Sequence, residues 1–300
     1  MSPNPTKTVI GLVQTRSRQS PEGNVLEAER MIEKAAQGGA TLVCLQELFS
    51  TVYFCQEENP DRFDLAEPFG GPLCQRMAAA AAKAGVVLIV PYFEKRAEGV
   101  YHNSAAIIDA DGTILGQYRK MHIPDDPGFY EKYYFAPGDL GFRAWDTAAG
   151  RIGVCICWDQ WFPEAARLTA LHGAEILFYP TAIGWIPGER SEQETQAWEI
   201  CQRAHGVSNG CFVAVANRTG HEAAPGAGID FWGQSFLSAP DGRMLGQLSA
   251  DDEDVLLVEI DRNEIRERRN HWPLLRDRRI DSYDQISERF IDDNGNVPPT

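Results

Sequence analysis

No run of apolar residues in this 300-residue chain is long enough to cross a bilayer. The longest, residues 84–93, is about half of the ~20 residues that a spanning helix needs. The opening MSPNPTKTVIGLVQ has neither the basic start nor the apolar centre of a secretory leader, so the expected compartment is the cytoplasm. Positive charge is also short: 28 Lys and Arg stand against 43 Asp and Glu, for a formal charge of −15. A surface of that sign repels phosphate backbones and anionic lipid. It disfavours a nucleic-acid or membrane partner and favours a small cationic ligand.

Cysteine is sparse and unpatterned. The seven residues, at 44, 55, 74, 155, 157, 201 and 211, are odd in number and scattered, unlike a disulfide framework. There is no Cys-x-x-Cys pair and no His-x-x-x-His spacing, and the six histidines are dispersed, so no metal is expected. Gly226 and Gly228 do not complete a Gly-x-Gly-x-x-Gly phosphate loop. Asn217-Arg218-Thr219 spells a glycosylation acceptor, which reads as coincidence in a chain without a leader.

What is present is globular: 43% hydrophobic against 24% charged residues supplies enough apolar surface for a large core. Short apolar runs alternate with amphipathic stretches, the α/β spacing. Strands are expected at 8–14, 41–45, 86–91, 103–109, 113–118, 151–156, 175–179, 211–216, 233–238, 243–248 and 255–260. Eleven strands suggest two sheets. Helices are expected at 22–37, 73–83, 163–172 and 192–209, with Pro163 suited to a first turn, where no amide donor is needed. Asp111-Gly112 and Asp241-Gly242 each sit between two strand-like runs and read as hairpin turns.

No linker divides the chain, so one domain over 1–280 is expected, followed by an arm or tail over 281–300 where apolar periodicity is lost. Before the tail, Arg266, Arg268, Arg269, Arg276, Arg278 and Arg279 cluster around His271 and Trp272. Glu264, Glu267 and Asp277 are interleaved, which favours an ion-paired helix end or a subunit contact over a nucleic-acid patch.

The chemistry concentrates at three strand ends. Residues 151–164 read as a β-rich run, a sharp junction at Cys157, and a proline-started helix. A thiol at such an elbow is expected to be exposed, near backbone amides and the positive end of a helix, a setting that favours thiolate. Glu47 ends the apolar run 41–45 in an apolar context, and Lys120 ends 113–119. If these strands share one sheet edge, all three side chains reach the crevice where α/β proteins bind ligands.

Glu47 in Gln-Glu-Leu-Phe, Lys120 in Tyr-Arg-Lys-Met-His-Ile-Pro and Cys157 in Cys-Trp-Asp-x-x-Phe-Pro-Glu resemble, in that order and spacing, the nitrilase superfamily of carbon–nitrogen hydrolases. The resemblance runs over nearly the whole chain. It implies an α/β fold built as a four-layer α-β-β-α sandwich with two mostly mixed sheets, assembly into a homo-oligomer, and a Glu47-Lys120-Cys157 triad working without metal or organic cofactor. It also marks Glu131 as a second active-site glutamate. The roles implied are Glu47 as base and then acid, Cys157 as nucleophile, and Lys120 with the Trp158 amide as oxyanion stabilisers.

For the substrate, related hydrolases of carbamoyl amino acids carry arginines shortly after the cysteine, whereas here those positions are Gln160 and Trp161. The loss of both charges argues against a carboxylate-bearing substrate. Asp125, Asp126, Glu189, Glu192 and Glu194 could hold a distal ammonium, and Tyr53, Phe54, Tyr130, Trp158, Trp161 and Trp185 could line an alkyl chain. The expected substrate is a carbamoylated alkylamine. Another amide, carbamoyl or nitrile compound is the alternative, and a catalytically idle binding module is disfavoured by the intact Glu47, Lys120, Cys157 and Glu131.

Overall fold

The computed structural model describes residues 6–224 and 226–291. In chain order its strands begin with β1 (Lys7–Gln14), β2 (Leu42–Cys44), β3 (Val87–Ala97), β4 (Val100–Ile108) and β5 (Ile114–Arg119). Then come β6 (Ala144–Thr147), β7 (Gly150–Val154), β8 (Ile176–Thr181), β9 (Gly184–Trp185) and β10 (Phe212–Asn217). The last are β11 (Thr219–Glu222), β12 (Ile229–Trp232), β13 (Phe236–Ser238), β14 (Met244–Gln247) and β15 (Asp254–Asp261). The helices are α1 (Pro21–Gln37), α2 (Pro72–Ala84), the single turn α3 (Glu131–Tyr134), α4 (Pro163–Leu171), α5 (Glu192–Asn209) and α6 (Asn263–His271).

Two six-stranded mixed sheets form, in the orders β15-β1-β2-β3-β4-β5 and β14-β13-β10-β8-β7-β6. Each has a parallel centre, β1-β2-β3 and β7-β8-β10, with antiparallel strands at its flanks. Period-2 alternation explains the layering. In β2, Leu42 and Cys44 face the space between the sheets while Val43 faces outward, and in β8 Ile176 and Phe178 face inward while Leu177 and Tyr179 face outward. The inward sets of both sheets make one core, with Ile10, Leu12, Val87 and Ile89 against Val154, Phe212 and Ala214. The outward set of the first sheet is covered by Met31, Ile32 and Ala35 of α1 and Met77 and Ala81 of α2. Ala165, Ala166 and Trp198 of α4 and α5 cover the second. Four layers, α-β-β-α, result.

The helices start where capping allows. Ser20 accepts the Gly23 amide at 3.1 Å before Pro21, and Ser191 accepts the Glu194 amide at 3.3 Å with two acidic residues in the first turn of α5. Both expected hairpins form, with Gly112 at φ 87° and Gly242 at φ 85°.

All eleven expected strands are present, with shifted ends. The expected strand 233–238 starts only at Phe236, because Gly233 and Gln234 are both left-handed, each at φ 56°. Strand β6, the small sheet β11-β12-β9 and helix α6 were not expected. They are short, or in α6 polar at every position but the buried Ile265, so no hydrophobic period betrays them. Around α6 the arginines are largely engaged locally: Arg243 pairs with Glu264, Arg276 with Asp277, Arg269 donates to the carbonyls of Asn209 and Gly210, and Arg268 lies over the Trp272 ring. The expected tail, 281–300, begins within an isolated turn over 280–282 and has another over 284–287, and 292–300 lie outside the described residues. Among the described residues no helix is long and apolar enough to cross a membrane.

Candidate active site

Strands β2 and β5 belong to one sheet and run parallel to each other, so Glu47 and Lys120 leave it at the same end. Cys157 follows β7 in the other sheet. The expectation of one shared sheet edge is therefore corrected: the three residues meet across the sandwich, at the mouth of the cleft between its sheets.

At the centre is a buried ion cluster. Lys120 Nζ donates to Glu47 Oε1 at 2.9 Å and to Glu131 Oε1 and Oε2 at 2.9 and 2.6 Å, with all three side chains fully buried. Asn103 Nδ2 donates to Glu47 Oε1 at 2.7 Å, and the Tyr53 hydroxyl donates to Glu131 Oε1 at 2.8 Å. Glu47 Oε2 has no hydrogen-bond partner among the described residues. Burial works against the Lys120 charge, but Glu131, Glu47 and Cys157 outweigh it and hold its pKa well above the usual lysine value. Burial raises Glu131, Lys120 opposes, and Glu47 adds to the rise.

Backbone close approach places the lysine. Gly138 N donates to the Lys120 carbonyl at 2.8 Å, and a Cβ on Gly138 would stand 2.2 Å from the Arg119 carbonyl oxygen. Arg119 beside it is bound by Glu94 and by Asp139.

Cys157 sits at a strained elbow with φ 45°, opening the short 3-10 turn Cys157–Trp161. The sequence suggested an exposed thiol, but Cys157 is buried. Only 4% of its surface remains, and its thiol donates to the Ala182 carbonyl at 3.9 Å. Burial pushes its pKa well above the usual thiol value, Glu47 adds to this, and Lys120 opposes it. The helix dipole of α4 starts too late, at Pro163, to reverse that.

Asp159 fixes the elbow. Its Oδ2 accepts from Ile156 N at 2.9 Å and Tyr118 OH at 2.7 Å, and its Oδ1 accepts from His122 N at 3.0 Å and lies 2.7 Å from His122 Nδ1. One carboxylate thus bolts the cysteine turn to the strand and loop carrying Lys120.

A cavity of about 380 Å³ opens onto the thiol. Buried Glu131 and Cys157 form its floor, and Phe129, Trp158, Trp161, Trp185 and Trp232 its walls. Asp126, Glu189 and Glu194 stand exposed at its rim. Among the described residues, none that lines it is Lys, Arg or His. Of the residues expected at the substrate, Trp158, Trp161, Trp185 and Glu189 line the cavity, and Tyr53 lies behind Glu131. Asp125 and Tyr130 do not line it: Asp125 is exposed beside it, and Tyr130 precedes α3, its amide donating to the Cys55 carbonyl. Gln160 also faces away. Its Oε1 accepts from Trp198 Nε1 at 2.9 Å and Thr181 Oγ1 at 3.3 Å, so of the two positions compared with arginines only Trp161 bears on the cavity.

The carbon-nitrogen hydrolase family pattern matches residues 9–270. The chain belongs to the carbon–nitrogen hydrolases. It is 45% identical to an N-carbamoylputrescine amidase of Solanum lycopersicum over 265 residues, covering 87% of this chain and 88% of that one. A citrullinase of Francisella tularensis is 40% identical over 282 residues, covering 94% and 98%. The crystal structure of a carbon-nitrogen hydrolase from Helicobacter pylori G27 aligns with a TM-score of 0.92 at 46% identity, covering 95% of this chain and 100% of that one.

Several residues of this hydrolase site escaped the sequence. Asn103 and Asp159 stand next to or inside the informative segments and could have been weighed there. Arg218 and Glu222 are buried against the Glu47 loop, and the supposed glycosylation triplet 217–219 is entirely buried: Asn217 donates to the carbonyls of Ile183 and Gly233. Among the described residues no group of three or more His, Cys, Asp or Glu is arranged to hold a metal ion.

Proposed function

We propose that this hydrolase cleaves N-carbamoylputrescine with water to putrescine, carbon dioxide and ammonia. One observation carries the choice: the cavity is walled by four tryptophans and a phenylalanine and carries three carboxylates at its rim, with no Lys, Arg or His among its described lining residues. A ureido group at the thiol would leave the tetramethylene chain between the aromatic walls and the terminal ammonium at the acidic rim, with cation–π attraction on the way. Glu189, Glu194 and Asp126 are the carboxylates assigned to that ammonium.

In the proposed mechanism Glu47 takes the Cys157 proton as sulfur adds to the ureido carbon. The oxygen that gains charge is met by the Lys120 ammonium and the Trp158 amide, inside a site with little water. Glu47 then returns the proton to the leaving nitrogen as the C–N bond breaks. Water, losing a proton to Glu47, attacks the thioester carbon, the C–S bond breaks, and the proton goes back to sulfur. The carbamic acid released falls apart to carbon dioxide and the second nitrogen product. Because burial holds the resting thiol protonated, this requires the thiolate to form only with Glu47 beside it and substrate in place. Glu131 anchors the Lys120 ammonium throughout.

Citrulline is the second reading, favoured by the similarity to a citrullinase and by the ureido group that both compounds share. Its α-carboxylate would meet the same acidic rim, which places it behind. We further propose a homo-oligomer in the cytoplasm, assembled through the outer face of α4 and α5, where Leu168, Leu171 and Ile200 are exposed at 43%, 47% and 63%. The reaction is tested by incubating N-carbamoylputrescine with wild type and Cys157→Ala and quantifying ammonia and putrescine. Equal yields of the two from wild type and none from the variant are expected; turnover by the variant would remove the thiol from the mechanism.

A further inference from the structure

Arg218 is fully buried between β10 and β11, far in sequence from the 47–53 segment that it touches. Its Nη2 donates to the Glu47 carbonyl at 2.7 Å and the Leu48 carbonyl at 3.1 Å. Its Nη1 donates to Glu222 Oε1 at 2.6 Å and the Thr51 carbonyl at 3.4 Å. Glu222, buried as well, accepts the Tyr53 amide on Oε2 at 2.6 Å. The guanidinium carbon lies 5.2 Å from the Phe231 ring centroid and 5.9 Å from that of Tyr53. One ion pair therefore gathers three carbonyls and one amide from the loop that carries Glu47 at its start and Tyr53 at its end.

Within that loop the Thr51 amide donates to the Leu48 carbonyl at 3.1 Å, whereas the Glu47 carbonyl is met from outside it, by Arg218. Leu48, directly after Glu47, is left-handed at φ 49°, a conformation costing a side-chain-bearing residue about 1–2 kcal/mol. It turns successive carbonyls toward one side, where a buried Glu47 carbonyl left unmet would be worse still. The planar fork of Arg218 meets them.

We propose that Arg218, clamped by Glu222, is a positioning residue: it fixes the 47–53 loop so that Glu47 faces the Cys157 thiol and the Tyr53 hydroxyl holds Glu131 against Lys120. It touches neither thiol nor cavity and acts only through the two glutamates. The inference rests on Glu47 being the base. Lysine at 218 keeps the charge but, as a single ammonium, cannot reach all four acceptors in one plane.

The test uses full-length Arg218→Lys and Glu222→Gln, with Glu47→Gln as control. Unfolding temperature, kcat and KM on N-carbamoylputrescine, and the pH dependence of Cys157 alkylation by iodoacetamide are measured for each. Displacing the base by about 1 Å should lower kcat by about 10²-fold in Arg218→Lys and less in Glu222→Gln, with KM changed less than about 3-fold. The alkylation profile of both should move toward that of Glu47→Gln. Wild-type kcat and alkylation profile in both variants would overturn the inference, as would a loss that follows only the fall in unfolding temperature while the alkylation profile stays put. If Arg218→Lys does not fold, Glu222→Gln, which keeps the shape of the pair, decides. Turnover retained by Glu47→Gln would instead refute the base assignment itself, whatever the Arg218 variants do.

Discussion

Tyr53 and Cys157 illustrate how far burial governs single residues in this site. The Tyr53 hydroxyl donates to Glu131 and so lowers a carboxyl that burial raises. Tyr53→Phe removes that donor, which raises the Glu131 pKa further. If the charged Glu131 is needed to anchor Lys120, activity is lost as pH falls through the Glu131 value, so the acid limb of kcat/KM should shift to higher pH in the variant. An acid limb that stays in place or moves down would contradict this role. The cluster of Glu47, Lys120 and Cys157 was legible because each ends an apolar run where a charged or reactive side chain needs a reason. Asp125 was not distinguishable from Asp126: adjacent loop carboxylates look alike in sequence, and only the turn of the chain sends one to the cavity. Arg218 was invisible for the opposite reason, since arginine is read as surface unless its partners are known.

At the scale of elements, the site depends on two loops seating against backbone. Gly138 lies on the Arg119–Lys120 peptide so closely that a methyl group must displace it. Gly138→Ala should therefore lower kcat, by about 10-fold or more, because it moves Lys120 away from the oxyanion position. Steady-state kinetics with a matched unfolding curve check this; unchanged kcat would mean that the loop yields without moving the lysine. Strands were legible wherever both sheet faces are covered, as in β2, β3, β8 and β10, because an apolar run of that length has few other uses. The small sheet β11-β12-β9 was not, since β9 is two residues long and β11 reads Thr-Gly-His-Glu. The segments that shape the substrate cavity thus carried the weakest signal.

For the whole molecule, acid sensitivity follows from the Arg119 network. Burial opposes the Glu94 charge, but hydrogen bonds from Arg119, Ser104 and Gln117 outweigh it and lower its pKa, and Asp139 is lowered to about 2 by hydrogen bonds from Arg119 and Arg96. Lowered carboxyls stabilise the fold above their unfolded values, near pH 4, and that stabilisation is lost as pH falls through the folded values. The stability advantage of wild type over Glu94→Gln should therefore shrink between about pH 5 and pH 2. Denaturant curves at several pH values measure it, and a constant difference would contradict the account. Assembly is tested at the same scale: Ile200→Glu on the exposed face of α5 should reduce the mass seen by light scattering, and an unchanged mass would move the interface elsewhere.

The most direct test of the central claim is competition between N-carbamoylputrescine and citrulline at equal concentration, with putrescine and ornithine quantified together. An acidic rim predicts a kcat/KM ratio of about 10² or more in favour of N-carbamoylputrescine, since the α-carboxylate adds repulsion as well as bulk. A ratio near one, or one favouring citrulline, would contradict the role given to Asp126, Glu189 and Glu194 while leaving the Glu47-Lys120-Cys157 chemistry standing.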